Sequence, residues 1–491
     1  MTSLLVLLAG AFSVLAYAPF DVFPLAFVCW GVLFYFLRDV TPGRAAWRGF
    51  LWGGGAFCAG LCWLYVALHR YGGMPAPAAA LGVALFCAYL ALFPALSAWL
   101  YARCRGRHWA WNALVAAAAW ALGEWLRGTV LTGFPWLAIG YTQTPPSPLA
   151  GWAPVVGSYG VGFIVVLVTA LLVSAFKREQ RRGALAVALV IAVAGAALRL
   201  VAWTDPVGEP TRVALVQTNI AQEQKWRREL ILKWLDLNLD MVRKHPASIV
   251  VLPETSLPLL DSRLPDGYLD ALQQGAGGDV VVGIFTRDAE GRVYNSAISR
   301  GPGGEQFYGK HHLVPFGEFS PPFFGWFYKL ADIPMSDQTR GPAGQKPLSL
   351  AGQQIAVNIC YEDVFGEELL YALPQATLML NMSNLAWYGD SHAQPQHLQI
   401  ARMRAMETGR PMLRSTNTGM TAVINPDGYV REVLAPFTAG ALVTDVRGYQ
   451  GMTPYAHWAN WPVVALSITV LLGAFACRRR AGRDRPEPAI A

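Results

Sequence analysis

Long apolar runs dominate the first 205 residues of the chain, and one more lies close to its C-terminal end. Seven runs occupy residues 3–18, 22–37, 49–68, 80–101, 109–126, 158–176 and 184–202, and an eighth occupies 460–477. Several reach the roughly 20 residues that a helix needs to cross a bilayer. The first two are shorter and are joined by the turn "YAPFDVFP", which predicts a helical hairpin. The pattern therefore predicts a multi-pass α-helical membrane domain with about eight transmembrane helices.

A cleaved signal peptide is the alternative interpretation of the first apolar run. Such a peptide starts with a basic segment, and no basic residue precedes this run. A second apolar run also follows at once. The helical hairpin is therefore the favoured prediction for the N-terminus.

Between the seventh and eighth runs the pattern changes to that of a soluble α/β protein. Strand-like stretches are "RVALVQTNI" (212–220), "ASIVVLPETS" (247–256), "DVVVGIF" (279–285), "VYNSAISR" (293–300), "QIAVNICYED" (354–363), "ATLMLNMSN" (376–384) and "PMLRSTNTGMTAVINPDG" (411–428). Helical patterns at 226–244 and 392–408 lie among them. This alternation predicts a layered α/β domain whose sheet is covered by helices.

These patterns predict four parts of the chain. They are a membrane domain of seven helices at 1–205, an α/β domain at 206–455, an eighth transmembrane helix at 456–480 and a tail at 481–491. Composition agrees with this division, because 54% of the residues are hydrophobic and only 14% are charged. A soluble chain has about a quarter of its residues charged. Much of this chain is therefore expected to face lipid.

Basic residues fall on alternate links between the apolar runs. Fifteen of them follow the second, fourth, sixth and eighth runs: Arg38, Arg44, Arg48, Arg103, Arg105, Arg107, Lys177, Arg178, Arg181, Arg182, Arg478, Arg479, Arg480, Arg483 and Arg485. The other short links carry little beyond Arg70 and Arg127. Cytoplasmic loops are the ones enriched in Lys and Arg. Both termini are therefore expected in the cytoplasm, and the α/β domain is expected outside it.

The formal net charge of +7 is explained by this topology. The arginines mark cytoplasmic loops and do not form a basic patch on the α/β domain, so nucleic-acid binding is disfavoured. Nothing in the sequence demands more than a monomer. Lipid is the partner that the composition predicts.

One cysteine differs from the others in its surroundings. Cys360 ends an apolar strand-like run in "VNICYED" and is followed by an aromatic residue and two acids. The remaining cysteines, at 29, 58, 62, 87, 104 and 477, form no paired framework, and the "CAGLC" spacing fits neither a zinc site nor a redox pair. Cys360 is therefore the candidate for chemistry.

Two other reactive side chains are predicted to follow strands. Glu254 follows the apolar stretch of "VVLPETS", and Lys310 follows a short aromatic strand in "YGKHHLVPFGEF". Each residue type alone is more often structural: a Glu caps a helix, a loop Lys is solvated and a single Cys is buried and inert. Reactive residues in such folds nevertheless collect where strands end. The three positions therefore merit a joint interpretation.

Together the three side chains make a chemically complete set. A free Cys thiol has a pKa of about 8.5 and is mostly protonated at neutral pH. Glu254 can take its proton, and the ammonium of Lys310 can stabilise the oxyanion that forms when Cys360 attacks a carbonyl. Such a site transfers acyl groups without a metal or another cofactor. A Cys–His pair that uses His311 or His312 remains an open alternative.

The motifs "LPETS", "GKHHLVPFGE" and "NICYED" resemble the Glu-Lys-Cys triad of the nitrilase, or carbon–nitrogen hydrolase, superfamily. With its membrane spans, the chain as a whole resembles the apolipoprotein N-acyltransferase family. The resemblance implies an αββα sandwich, with Glu254 as general base, Lys310 as oxyanion stabiliser and Cys360 as nucleophile. The residues that it implies to shape or bind at the site are Glu318, Tyr361, Glu362 and Trp226, the last on a mobile arm.

The same resemblance implies a reaction, its partners and a location. An acyl chain would move from a phospholipid donor, through a thioester on the cysteine, to the α-amine of the N-terminal diacylglyceryl-cysteine of an apolipoprotein. The enzyme would lie in the bacterial inner membrane, with its catalytic domain periplasmic. Two alternatives stay open: a membrane-tethered amidase or nitrilase that hydrolyses a C–N bond, and a transporter or receptor whose outer domain only binds a ligand.

The membrane domain gives an independent reason to expect a lipid substrate. A lipid that leaves the bilayer loses about 0.8 kcal/mol per exposed CH₂, so an enzyme acting on phospholipids gains from being embedded.

The aromatic stretch 319–335 is either a lid that dips towards acyl chains or part of the core. Glu124 and Arg127, one helical turn apart, either pair with each other or contact a lipid headgroup.

The arginine distribution can be tested with reporter fusions. A reporter fused after residue 300 should behave as extracytoplasmic, and one fused after residue 485 should behave as cytoplasmic, because the positive-inside rule orients the spans between them. Alkaline phosphatase and a fluorescent protein report the two sides. The opposite pattern would overturn the predicted topology.

Overall fold

A computed structural model describes residues 1–320 and 337–483 of the chain. Their contacts separate two units. The first unit comprises Met1–Cys62, Leu81–Val201 and the residues from Trp458 onwards, and the second comprises Trp63–Ala80 and Ala202–His457. Residues 63–80, which follow the third apolar helix, therefore group with the α/β part of the chain.

Helices build the first unit. They are Thr2–Phe12, Pro24–Leu37, Pro42–Gly60, Ala76–Cys104, Trp109–Arg127, Ala153–Ser174, Arg178–Leu198 and Trp461–Arg483. Small residues let some of them approach closely: a Cβ on Gly10 would lie 2.0 Å from the Trp52 carbonyl oxygen, and one on Gly55 would lie 2.2 Å from that of Leu7. Backbone contact through glycines is typical of helices that pack within a bilayer.

Four helices among the described residues are long and apolar enough to cross a membrane, namely Ala76–Cys104, Pro148–Ser174, Arg178–Leu198 and Trp461–Arg478. The pair Pro42–Gly60 and Leu64–Tyr71 is bent by 62° and adds a fifth if it counts as one span. Thr2–Ala16 and Pro24–Leu37 are apolar but shorter, as expected for the N-terminal hairpin. The predicted total of eight spans stays a prediction.

The charged pair near the end of the Trp109–Arg127 helix holds the segment that follows it. Nη1 of Arg127 donates hydrogen bonds to the carbonyl oxygens of Phe134 and Trp136, both at 2.6 Å. Oε1 of Glu124 accepts a hydrogen bond from the backbone N–H of Ile139 at 2.9 Å. Nη2 of Arg127 and Oε1 of Glu124 are 4.0 Å apart, which is longer than a hydrogen bond. Their main contacts are therefore with the backbone of this irregular segment.

Two mixed β-sheets build the second unit. The first sheet contains β1 (Asp205–Gln217), β2 (Ile249–Val251), β3 (Leu257–Leu260), β4 (Asp279–Arg287), β5 (Val293–Arg300), β6 (Gln306–Gly309) and β13 (Gly440–Gln450), in the order β13-β1-β2-β4-β5-β6 with β3 beside β4. The second contains β7 (Leu348–Leu350), β8 (Gln353–Ile359), β9 (Leu378–Ser383), β10 (Met412–Thr416), β11 (Ala422–Ile424) and β12 (Val430–Val433), in the order β12-β11-β10-β9-β8-β7.

Alternating side chains of these strands form three apolar layers. Val281 and Leu380 belong to the core shared by the two sheets. The neighbouring Val280 faces the opposite way and joins a layer with helices Ile231–Lys244 and Tyr268–Ala276. Met379 likewise joins a layer with helix Ala393–Thr408. Because successive residues of a strand point to opposite faces, both sheets are covered by helices, and the predicted αββα sandwich is confirmed.

Short helices complete the second unit. They are Gln222–Lys225, Gly366–Leu369 and Pro454–Trp458, together with the turns of helix at 64–71. The pairs β2–β4, β8–β9 and β9–β10 are parallel. The carboxyl ends of parallel neighbours meet at one edge of a sheet. Loops that follow these strands are therefore where functional side chains are expected.

Candidate active site

The three predicted catalytic residues lie in the second unit, each shortly after a strand. Cys360 follows β8 directly, Lys310 follows β6 directly, and Glu254 lies three residues after the end of β2. Lys310 is 0% exposed and Glu254 is 6% exposed. Charges buried this deeply must be paired with each other or with hydrogen-bond donors.

Lys310 lies between two carboxylates. Its Nζ is 2.7 Å from Oε1 of Glu318 and 3.7 Å from Oε1 of Glu254. Nδ2 of Asn295, in the middle of β5, donates to both carboxylates, at 2.8 Å to Glu254 and 3.3 Å to Glu318. The backbone N–H of Asn384 donates to the second oxygen of Glu254 at 2.7 Å. Glu254 is therefore held in one orientation by residues from both sheets.

The charges of this cluster act on the thiol of Cys360. Burial and the neighbouring Glu254 carboxylate raise the pKa of Cys360, and the ammonium of Lys310 only partly offsets them. Burial also acts against the ammonium, yet Glu318 and Glu254 outweigh it and hold the pKa of Lys310 above its usual range. At neutral pH Lys310 is therefore charged and Cys360 is a thiol. Attack on a carbonyl then needs a base beside the thiol, and Glu254, the carboxylate that acts most strongly on Cys360, is the candidate for this role.

The backbone of Cys360 is strained. Its φ of +53° is an uncommon conformation for a residue with a side chain, and such strain costs about 1–3 kcal/mol. Nδ2 of Asn381 donates a hydrogen bond to the Cys360 carbonyl oxygen at 3.1 Å. The surroundings therefore fix the direction in which the cysteine leaves β8.

A buried polar network supports this turn. Asp363 accepts hydrogen bonds from Nε2 of His397 at 2.5 Å and from Nη1 of Arg414 at 3.1 Å. Arg414 also donates to Nδ1 of His397 at 2.7 Å and to Oδ1 of Asn381 at 2.8 Å. A His ring nitrogen that accepts from an arginine carries no proton. Burial lowers the pKa of His397, so the ring is neutral and serves to hold Asp363 and Arg414.

Glu362 joins the loop of Lys310 to the turn of Cys360. Its carboxylate accepts backbone N–H bonds from Ile359 at 2.6 Å, from His311 at 2.6 Å and from His312 at 3.0 Å. The phenol of Tyr308 donates to the same group at 3.0 Å. Burial raises the pKa of Glu362 to about 7, against these bonds and the charge of Lys310. The predicted site-shaping residue therefore ties two catalytic segments together.

Tyr361 and Trp226, also predicted at the site, each pack against another aromatic ring. Tyr361 is buried and packs edge-on against Phe365 with ring centres 5.1 Å apart. Trp226 directly follows the Gln222–Lys225 helix, and its ring centre lies 5.9 Å from that of Phe285. The imidazoles considered for a Cys–His pair have other partners: His311 lies 2.8 Å from the Gly341 carbonyl oxygen, and His312 lies 2.8 Å from Glu368.

Tyr388 is a site residue that the sequence pattern did not reveal. Burial raises the pKa of its phenol, and the nearby Cys360, Lys310, Glu318 and Glu254 also act on it. Trp63 packs edge-on against Tyr388, with ring centres 4.6 Å apart, and donates to Oε1 of Gln396 at 3.1 Å. Residues 63–80 therefore contribute to the wall beside the site. The aromatic pair in "LAWYGD" was the available signal.

Some predicted features fall outside what is described. All but the first two residues of the aromatic stretch 319–335 lie outside the described residues. Within residues 1–320 and 337–483, no group of three or more His, Cys, Asp or Glu side chains is arranged to hold a metal ion.

Comparison with known sequences covers nearly the whole chain. A family model described as "Apolipoprotein N-acyltransferase N-terminal domain" matches residues 9–171, and one described as "Carbon-nitrogen hydrolase" matches 212–451. A curated apolipoprotein N-acyltransferase of Nitrosomonas europaea is 46% identical over 96% of this chain and 97% of its own length. The chain belongs to the apolipoprotein N-acyltransferase family.

Other members of the apolipoprotein N-acyltransferase family match to a similar extent. The protein of that name from Ralstonia nicotianae is 48% identical over 91% of this chain and 86% of its own length. Among solved structures, a carbon–nitrogen hydrolase from Helicobacter pylori G27 aligns with 17% identity and a TM-score of 0.38, covering 56% of this chain and 96% of that chain. One family match lies in the helical part of the chain and the other in the sandwich. Both parts are therefore features of the apolipoprotein N-acyltransferase family.

The protonation state of Cys360 can be measured by alkylation. The raised pKa predicts that iodoacetamide labels Cys360 slowly at neutral pH, and that the rate still rises with pH where a free thiol of pKa about 8.5 has levelled off. Peptide mass separates Cys360 from the other cysteines. Cys360 in the denatured protein is the matched control and should titrate as a free thiol. Fast labelling with a plateau near neutral pH would show a thiolate paired with Lys310.

Proposed function

We propose that the protein is a phospholipid:apolipoprotein N-acyltransferase with a Glu254-Lys310-Cys360 triad. It moves an acyl chain from a phospholipid to the α-amine of the N-terminal diacylglyceryl-cysteine of an apolipoprotein. The observation that carries the proposal is the cluster of Glu254, Lys310 and Cys360 in a chain that matches curated proteins of this name over nearly its whole length. Glu318, Glu362, Tyr361 and Trp226 complete the proposed site.

The first step forms a thioester. Glu254 takes the thiol proton while the sulfur of Cys360 attacks the ester carbonyl of the phospholipid. The ammonium of Lys310 faces the oxyanion, and preorganised charge of this kind needs no rearrangement as the reaction proceeds. The C–O bond then breaks, and the leaving alkoxide takes the proton from Glu254. Lysophospholipid departs, and the acyl chain stays on the sulfur.

The second step transfers the chain to nitrogen. The free α-amine of the diacylated apolipoprotein attacks the thioester, and Glu254 takes a proton from that amine. The C–S bond breaks, and the departing thiolate takes the proton from Glu254, which restores the Cys360 thiol. The raised pKa of Cys360 supports this cycle, because the resting state then has one proton to pass from sulfur to the leaving group.

The membrane unit supports lipid as the donor. Four or five of its described helices can cross a bilayer, so the acyl donor need not leave the membrane, which would cost about 0.8 kcal/mol per exposed CH₂. We propose a multi-pass protein of the bacterial inner membrane with eight spans, both termini in the cytoplasm and the sandwich on the periplasmic side. The arginines on alternate links support that orientation.

The reaction can be tested with purified components. The full-length protein, a phospholipid and a diacylated lipopeptide should yield the triacylated lipopeptide, identified by mass. Cys360→Ala should abolish the product, and Lys310→Ala should lower the rate by about 10²–10³, as expected for the loss of one oxyanion donor. The exposed residues Cys477 and Lys233 provide matched controls, and their alanine variants should retain activity.

Two outcomes would contradict the proposal. Near-normal transfer by Cys360→Ala or Lys310→Ala would mean that other residues carry the chemistry. Release of free fatty acid in place of the triacylated lipopeptide would identify a membrane-tethered hydrolase of the same superfamily.

A further inference from the structure

The segment from Gln222 to Trp226 carries two buried hydrogen-bond donors that lack acceptors. Nε2 of Gln222 and Nε1 of Trp226 have no hydrogen-bond partner among the described residues. Gln222 is only 5% exposed, and Lys225 is only 1% exposed. A buried donor that is left without an acceptor is unfavourable. Two unmet donors and the ammonium of Lys225 within five residues therefore point to an acceptor that binds there.

Lys225 is the charged member of this group. Within the described residues its Nζ makes one hydrogen bond, to the backbone carbonyl oxygen of Glu254 at a long 3.3 Å. An ammonium has three N–H donors, so two are left for a ligand. Burial lowers the pKa of Lys225 to about 7, although Glu254 and Cys360 act in the opposite direction. These two groups do not offset the burial, so a bound anion would stabilise the ammonium further.

The donors are connected to the proposed catalytic base. Lys225 contacts the backbone of Glu254, and Oε1 of Gln222 accepts from Nδ2 of Asn384 at 3.2 Å. The backbone N–H of Asn384 in turn donates to the Glu254 carboxylate. A ligand on Gln222 and Lys225 would thus lie beside the group that moves the proton. It would not replace Lys310, which faces the carboxylates of Glu254 and Glu318.

We propose that Gln222, Lys225 and Trp226 form a binding site for the phosphate group of the acyl donor. This inference rests on the proposed function, in which the donor is a phospholipid. Its ester carbonyl and its phosphate are separated only by the glycerol carbons, so a lipid whose ester reaches Cys360 brings its phosphate close to the triad. Phosphate oxygens accept several hydrogen bonds at once and pair strongly with an ammonium.

Diacylglycerol is the matched donor for a test, because it has the same ester and glycerol but no phosphate. Lys225→Met should raise the KM for phospholipid by about tenfold to hundredfold, the loss expected for a charge-assisted hydrogen bond. The KM for diacylglycerol should change at least tenfold less. Gln222→Glu, which puts a like charge beside the phosphate, should shift the preference in the same direction. Lys225→Arg should recover part of the phospholipid KM.

The exposed Lys233 supplies a control of the same chemistry. Lys233→Met should leave the ratio of the two KM values as in the wild type. An equal loss of activity on both donors in Lys225→Met would assign Lys225 to support of the triad and overturn the phosphate site. An unchanged preference in both Lys225→Met and Gln222→Glu would overturn it as well.

A binding measurement keeps this inference separate from the proposed reaction. Cys360→Ala protein should bind a short-chain, water-soluble phospholipid more weakly when Lys225→Met is added, whether or not the wild type transfers acyl chains. Inorganic phosphate should compete only weakly, since the glycerol and acyl groups add contacts. Tight binding of inorganic phosphate together with phospholipid binding that ignores Lys225→Met would show a site for free phosphate and overturn the assignment to the lipid.

Discussion

The buried ammonium of Lys310 faces the buried carboxylate of Glu254 and the partly buried carboxylate of Glu318 beside a thiol, and these charges govern the site. Lys310 is paired with Glu318 at 2.7 Å, and Glu254 is farther away at 3.7 Å. A lysine that neutralised a single carboxylate would favour a thiolate. Burial and the additional negative charge of Glu254 instead raise the pKa of Cys360. In the proposed mechanism Cys360 therefore rests as a thiol, and the reaction requires proton transfer to Glu254 at the moment of attack.

The rest of the sandwich maintains this arrangement. Glu362 binds backbone N–H groups on both sides of the site, so the loop of Lys310 cannot move away from the turn of Cys360 without losing several hydrogen bonds. Behind that turn, Asp363, His397 and Arg414 form a buried hydrogen-bonded network in which the histidine is neutral. Together they hold a cysteine whose backbone is strained.

Sequence patterns predicted a layered α/β domain and the residues at strand ends, because strands of period two and single polar residues after apolar runs are local features. The two-sheet sandwich itself was implied only by the family resemblance. Asn295 and Arg414 were missed, since each lies within a buried strand and finds its partners through sheet pairing with distant segments. Tyr388 ends a short helix after β9 and was missed because Trp63, which packs against it, comes from a distant segment. Hydropathy placed residues 49–68 in one span, whereas the helix bends by 62° and residues 63–80 group with the sandwich. Apolar content alone does not reveal such a bend.

In the proposed mechanism Cys360 carries a lipid acyl chain until an amine accepts it, and a reaction without acceptor tests this step. Protein mixed with phospholipid alone should stall with one acyl chain on Cys360, located by peptide mass and removed by neutral hydroxylamine as a thioester is. A peptide with diacylglyceryl-cysteine at its N-terminus should discharge the chain, and the N-acetylated peptide should not, because its amine is blocked. Steady release of fatty acid without acceptor, or discharge by the blocked peptide, would contradict this account.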